Sequence, residues 1–245
     1  MININLQNIK ITTEIAELCG IITGDGHLSR YISKKRTDYR LDIAGNKTEE
    51  IEYFHFISSL FKKVFKIDLK FREEEEYSRL YLSSKKILEF FEGIGLIVGK
   101  KSRIARIPDI ILQNNELSLH FLRGLADTDF SVNFRKGKKK INCYPRIVGS
   151  SASEKLLDDV SMILDKIQIS YYRQKVFKKN NFGNFYYYRL EINGNKNFSK
   201  WMNHIGFSNP KHLTKILVWK KLGYCPPYTT IKERYAILKE SKRTE

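Results

Sequence analysis

Two nine-residue stretches, LCGIITGDG at Leu18–Gly26 and LRGLADTDF at Leu122–Phe130, decide how this chain folds. Each places apolar side chains at helical spacing and reaches an aspartate near its end, Asp25 in the first and Asp129 in the second. Outward from them the same order of elements follows twice. An alternating basic stretch, residues 28–43 or 131–148, reads as a β-hairpin. A helix comes next, its apolar stripe Ile51, Phe54, Ile57, Phe61 and Val64 in one copy, Leu156, Val160, Ile163 and Ile167 in the other. A second hairpin, 67–83 or 169–193, leads to a short closing helix with Ile87, Phe91 and Ile94 or Phe198, Trp201 and Ile205. The offset between copies drifts from 104 residues at the aspartates to 111 at Gly95 and Gly206, as small loop insertions would make it.

The expected fold is therefore α+β, a tandem pseudo-two-fold repeat of helix–hairpin–helix–hairpin–helix units, each with an antiparallel sheet. The expected boundaries are 1–108 for the first half, 109–118 for a linker holding a Gln-Asn-Asn cluster, 119–223 for the second half, and 224–245 for a tail with one more amphipathic helix.

Along the first motif Ala16, Gly20 and Gly24 recur every four residues, and the second offers Gly124 and Thr128. Glycine inside a helix costs about 1 kcal/mol relative to alanine, so a bare face points to a close-packed partner. Two such helices side by side would bring Asp25 and Asp129 into one small space. Like charges repel there, and the negative helix ends add to the repulsion. A hard divalent cation answers both problems, taking the carboxylates together with the carbonyls of Gly24 and Thr128; magnesium is the default. Metal held between carboxylates beside a polyanion is an arrangement suited to phosphodiester hydrolysis.

The charge supplies the polyanion. With 44 Lys and Arg against 27 Asp and Glu the formal charge is +17. No apolar run approaches the roughly 20 residues that span a bilayer and no signal peptide is evident, so nucleic acid rather than a membrane is the expected partner. Cys19, Cys143 and Cys225 are odd in number and lack metal-ligand spacing, consistent with a reducing cytoplasm.

The paired motifs resemble the signature helices of LAGLIDADG homing endonucleases, and the likeness covers all but the tail beyond about Gly223. The resemblance implies αββαββα units, saddle-shaped sheets in the DNA major groove, and cleavage of both strands to leave short 3′ overhangs. It implies metal ligation by Asp25 and Asp129, with Mn2+ able to replace Mg2+ and Ca2+ binding without supporting cleavage. It points to Lys100 or Lys101 and to Lys211 as lysines that stabilise phosphate charge, and to Asn46, roughly matched by Ser151, as a residue ordering water. Two departures stand out: Thr23 replaces an earlier acid, and Phe130 replaces a glycine that would accept left-handed backbone angles, which puts the second turn in doubt.

For DNA contact the strands offer Arg30, Ser33, Lys34, Arg36, Arg40 and Arg79 in the first half. The second offers Ser131, Asn133, Arg135, Arg146, Arg173 and Arg189, with Lys136, Lys138 and Lys175 suited to phosphates. The acidic run Glu73–Glu76 belongs at a hairpin tip away from DNA. Because the halves differ in most polar strand positions, a monomer on a long asymmetric site is expected. The rival reading is an intron-RNA maturase or a non-cleaving DNA-binding regulator of the same fold, with intron RNA as a secondary partner. The first motif opens close to Met1 without flanking splicing half-domains, as a freestanding protein would.

Overall fold

The small-residue stripes become two helices packed along their length. In the computed structural model, which describes residues 10–34, 36–137, 140–180 and 183–240, α1 spans Thr13–Thr23, with the Thr12 side chain capping its first turn. The strands β1 (Gly26–Ile32) and β2 (Thr37–Asn46) follow, then α2 (Ile51–Phe65), β3 (Lys70–Glu73), β4 (Tyr77–Ser83) and α3 (Lys85–Ile94). After a connection holding the short α4 (Asp109–Leu112), the order repeats as α5 (Asn115–Asp129), β5 (Phe130–Lys136), β6 (Asn142–Ser151), α6 (Glu154–Lys166), β7 (Tyr172–Asn180), β8 (Gly183–Asn193) and α7 (Asn195–His204). Both sheets are antiparallel and four-stranded, ordered β1-β2-β4-β3 and β5-β6-β8-β7. The fold is thus two αββαββα units.

The connection between the halves and the end of the second half both hold more helix than the repeat requires. The anticipated linker at 109–118 holds α4, and its last residues already belong to α5, capped by the Asn114 side chain. The second half also carries a helix outside the repeat, α8 (Pro210–Leu222), before the tail helix α9 (Ile231–Lys239). Asn209 caps α8 and proline occupies its first turn, where no N–H is needed.

Hydrophobic alternation sets which sheet face is covered. Leu28, Leu41, Ile43 and Leu80 point to the core in one sheet; Val132, Ile147, Leu190 and Ile192 do so in the other. Helices α2 and α3, or α6 and α7, cover that face, with Phe65 meeting Phe90 and Phe91 in one half and Trp201 meeting Phe130 and Phe207 in the other. The opposite face of each sheet stays open.

Phe130 is accommodated by a route that the backbone-angle expectation did not consider. Its backbone is extended, at φ −103° and ψ 162°, and Gly26 is not among the glycines of positive φ, so neither turn needs left-handed geometry. What Phe130 needs is space for its ring. Its cross-strand partner is Gly149, where a Cβ would stand 2.3 Å from the ring; in the first half the small residue Gly26 instead faces Ile43.

Candidate active site between the paired helices

Helices α1 and α5 approach as closely as backbones allow. A Cβ added to Gly20 would lie 2.0 Å from the Phe121 carbonyl oxygen, and one added to Gly124 would lie 2.2 Å from that of Glu17. The contacts pass from 17 with 124 and 20 with 121, where the helices cross, to 24 with 128 near both C-terminal ends, so the helices are parallel and end together. At that end a Cβ on Gly24 would strike the Thr128 hydroxyl and come within 3.4 Å of the Asp129 carboxyl carbon. An ion pair inside the interface, Arg123 with the nearly buried Glu17 at 2.6 Å, joins the two helices.

Asp25 and Asp129 keep exposed surface at the mouth of this junction, yet protein crowds them on the other sides. Desolvation, reinforced by Glu50, raises Asp25 to about 6 even against Lys211 and Lys101. Desolvation and Asp25 itself raise Asp129 to about 7. Two carboxyls that hold protons this strongly would be relieved by a cation. Among the described residues no cluster of three or more His, Cys, Asp or Glu side chains is arranged around a metal. Two carboxylates and nearby main-chain carbonyls make an all-oxygen donor set, of the kind that would suit a hard divalent ion such as Mg2+.

The two lysines singled out in the sequence differ in setting. Lys101 is brought back along β1 by a short parallel bridge, Leu28 to Val98, with the Gly99 N–H donating to the Leu28 carbonyl. Its ammonium donates to the carbonyls of Ile22, Gly24 and Gly26, the Gly24 bond at 2.8 Å. Gly24, expected as a metal-ligating carbonyl, is thus already shared with Lys101. Burial lowers the Lys101 pKa to about 8 although Asp129 and Asp25 oppose the shift. Lys211 donates to Glu50 at 2.6 Å. Lys100 is exposed. The Asn46 side chain accepts from the N–H groups of Thr48 and Glu49, so it shapes the turn into α2.

Each half anchors the strand end of the other. In one direction Ser153 donates to the Ala105 carbonyl at 2.6 Å and Asp159 accepts from the Ile107 N–H at 2.8 Å. In the other direction the buried Asn209 donates to Glu50 and to the Asp127 carbonyl, both at 3.0 Å, while the Asp127 carboxylate accepts from the N–H groups of Ser208 and Asn209. The tail completes the connection: fully buried Arg234 of α9 donates to Glu49 at 3.0 Å and to Thr214 at 2.8 Å, and Tyr235 donates to Glu52 at 2.6 Å. Sequence reasoning missed Glu49, Glu50 and Asp127. Only the departure at Thr23, opposite Asp127 in the repeat, hinted at them.

The open sheet faces gather most, but not all, of the expected DNA contacts. Ser131, Asn133, Arg135, Arg146 and Arg189 share one face, where the nearly buried Glu191 binds Arg135, Arg146 and Arg189 at 3.0, 3.5 and 2.9 Å. In the first sheet Asp42 binds Arg40 at 2.7 Å and Arg79 at 3.5 Å on the corresponding face, beside Tyr81. Ser33, Lys34 and Arg36 lie at the exposed β1–β2 hairpin end, where Ser33 bonds the Arg36 backbone; Lys136 is exposed at the end of β5. Lys138 lies outside the described residues. Arg30, Arg173 and Lys175 fall on the helix-covered faces: Arg30 shares parity with buried Leu28 and pairs with Glu92 of α3, Arg173 sits opposite buried Leu190 and pairs with Asp158 of α6, and Lys175 packs over Tyr186 and Tyr188. Strand parity, which places Tyr81, Arg72 and Gln174 on open faces, was the signal that would have separated them.

These features define a class: a pseudo-symmetric protein whose two central helices bring a pair of carboxylates together at their ends, with an arginine-bearing sheet in each half. Residues 116–206 match the LAGLIDADG-like domain model. The fold is shared with I-DmoI in complex with DNA and manganese, at TM-score 0.56 and 20% identity over 79% of this chain and 96% of that one. It is also shared with I-SmaMI bound to uncleaved DNA with calcium, at TM-score 0.56 and 10% identity over 87% and 91%. The family match covers the second repeat, and the fold likeness to the two solved structures covers both, so the chain is similar to LAGLIDADG proteins of the single-chain two-repeat form. Among curated proteins it is similar to the replication factor C small subunit of Methanocaldococcus jannaschii, 31% identical over 208 residues, 83% of this chain and 10% of that protein. It is also similar to a probable translation initiation factor of the same organism, 30% identical over 148 residues, 59% of this chain and 11% of that protein. The chain therefore spans about a tenth of the length of these relatives. Among the described residues no helix is long and apolar enough to cross a membrane.

Proposed function

We propose that the protein is a site-specific DNA endonuclease that hydrolyses both strands of a long asymmetric target with a divalent metal, acting as a monomer and leaving short 3′ overhangs. The observation that carries this reading is the convergence of Asp25 and Asp129 at the ends of two parallel helices, between open sheet faces rich in arginine. The structural neighbours crystallised with DNA and with manganese or calcium support it.

In this reading the arginines of the open faces track the duplex, with Ser131 and Asn133 available to base edges. Asp25 and Asp129 hold the metal, and Thr128 and Gly24 contribute carbonyls. A divalent ion bound there supplies Lewis-acid stabilisation of the charge that builds on the phosphate. Lys101 and Lys211 add fixed positive charge on either side of the carboxylates. The carboxylates must be ionised to hold the metal, so their raised proton affinity makes cleavage increase with pH through about 6 to 7.

The test is to incubate the purified protein with a randomised duplex library in magnesium or in EDTA and to sequence the cut ends. Magnesium-dependent ends clustered on one long motif, with short 3′ overhangs, are the expected result. Tight binding without cuts would overturn the nuclease reading in favour of a regulator or maturase.

A further inference from the structure

We propose that Glu50 is a positioning residue that makes the two half-sites unequal: this carboxylate from the first half aims Lys211 of the second, whereas Lys101 is held by main chain alone. The inference rests on the nuclease reading above.

An ammonium has three N–H donors, and Lys101 directs its own toward the carbonyls of Ile22, Gly24 and Gly26. It is a fixed charge that offsets the negative end of α1, and it has no donor to spare for an incoming phosphate. Lys211 makes one bond, to Glu50, among the described residues, so two of its donors remain for a substrate.

The surroundings lock Glu50 in place. It is 5% exposed. One carboxylate oxygen accepts from the Asn46 N–H at 2.8 Å; the other is shared by Asn209 at 3.0 Å and Lys211. Asn209 is fixed in turn, donating to the Asp127 carbonyl and accepting from the Lys211 N–H at 2.9 Å. Even Gly45 is shaped to this carboxylate, because a Cβ there would stand 2.8 Å from it. A lysine on a flexible four-carbon stem is thereby directed before substrate arrives.

A purely structural role explains this carboxylate poorly. Glu50 adds negative charge beside Asp25 and raises its proton affinity, an unfavourable neighbour for a metal ligand. Anchoring Asn46 and Asn209 involves two neutral donors, one on each carboxylate oxygen, and neither of them calls for a charge. Its negative charge is what Lys211 requires.

Glutamine at position 50 offers one acceptor oxygen where three donors converge, so Glu50→Gln releases Lys211 or the Asn46 N–H. The experiment labels the two strands of the target recovered from the library separately and follows each cut in magnesium, with folding and calcium-supported DNA binding measured in parallel. Glu50→Gln should slow one strand by about 10- to 100-fold, the range for losing a group that orients a working ligand, and leave the other nearly unchanged, so that nicked product accumulates. Lys211→Met, which leaves Glu50 bonded to Asn46 and Asn209, should slow the same strand, and the double variant should be no slower than Lys211→Met alone. Equal slowing of both strands in either variant, or additive slowing in the double variant, overturns the proposal. A wild-type protein that makes no cut overturns the nuclease reading and this inference together, whereas cuts that stay symmetric in the variants overturn this inference only.

Discussion

The two halves share a plan and reach the same endpoint by different means. In the first, Thr23 satisfies its hydroxyl on the Cys19 carbonyl, the lysine behind the site is held by main-chain oxygens, and a glycine follows the aspartate. In the second, the matching Asp127 is fully buried and holds the start of α8, the lysine is held by a side chain from the other half, and a phenylalanine follows the aspartate with Gly149 making room for it. What stays constant is the carboxylate at the helix end. Close backbone packing and an aspartate at the helix end are common to both halves, while the support behind them differs.

The comparison breaks most severely if either aspartate is dispensable. Asp25→Asn and Asp129→Asn should each lower double-strand cleavage by more than about 100-fold, the upper range for losing groups that merely orient a metal's ligands, while DNA affinity measured in calcium changes little. A variant still cutting near the wild-type rate would show that its half supplies support only.

The helix pair should be equally intolerant on both sides. Gly20→Val and Gly124→Val force a side chain into a carbonyl about 2 Å away and should each destabilise the fold by about 3 kcal/mol or more, read as a fall in denaturant midpoint. A large difference between the two would show that one helix yields and the other does not.

Removing the tail's anchor probes the link between α9 and the first half. Arg234→Met strips charged hydrogen bonds from Glu49 and should cost about 2 kcal/mol in chemical unfolding.

The carboxylates also predict a dependence on pH. An acid whose pKa is raised by folding keeps its proton longer in the folded state, so its favourable contribution is full below the unfolded value near 4 and is lost as pH rises through about 6 for Asp25 and 7 for Asp129. Without metal, Asp129→Asn should therefore raise the melting temperature at pH 8 and leave it nearly unchanged at pH 4. Magnesium should raise the wild-type value at pH 8 and raise that of the variant less. The smallest effect distinguishes sheet faces: Arg40→Ala should weaken DNA binding by about tenfold, within the 1 to 3 kcal/mol of a good contact, and Arg30→Ala should have little effect.

Much of this was legible because it is periodic. The glycine stripe, both aspartates and all four hairpins follow from spacing alone, and the faces of Ser131, Asn133 and Arg135 follow from alternation. Arg30, Arg173 and Lys175 were misplaced because charge was allowed to outrank strand parity. Glu50 and Asp127 were invisible for another reason: their partners lie 161 and 82 positions away, and no local pattern encodes a hydrogen bond over such separations. The expectation at Phe130 rested on backbone angles, whereas the constraint proved to be ring volume answered across the strand.

The anchoring of Glu49 by Arg234 and of Ile231 by Glu49 also sets a clock. Both carboxylates are synthesised once Asp129 has been added, but the residues that lock α8 and its lysine against the first half come about a hundred positions later. At translation speeds of about 5 to 20 residues per second, roughly 5 to 20 seconds separate the two events. A nascent chain thus carries its acidic pair well before α8 is fastened to the first half, and that fastening waits until synthesis has passed α9.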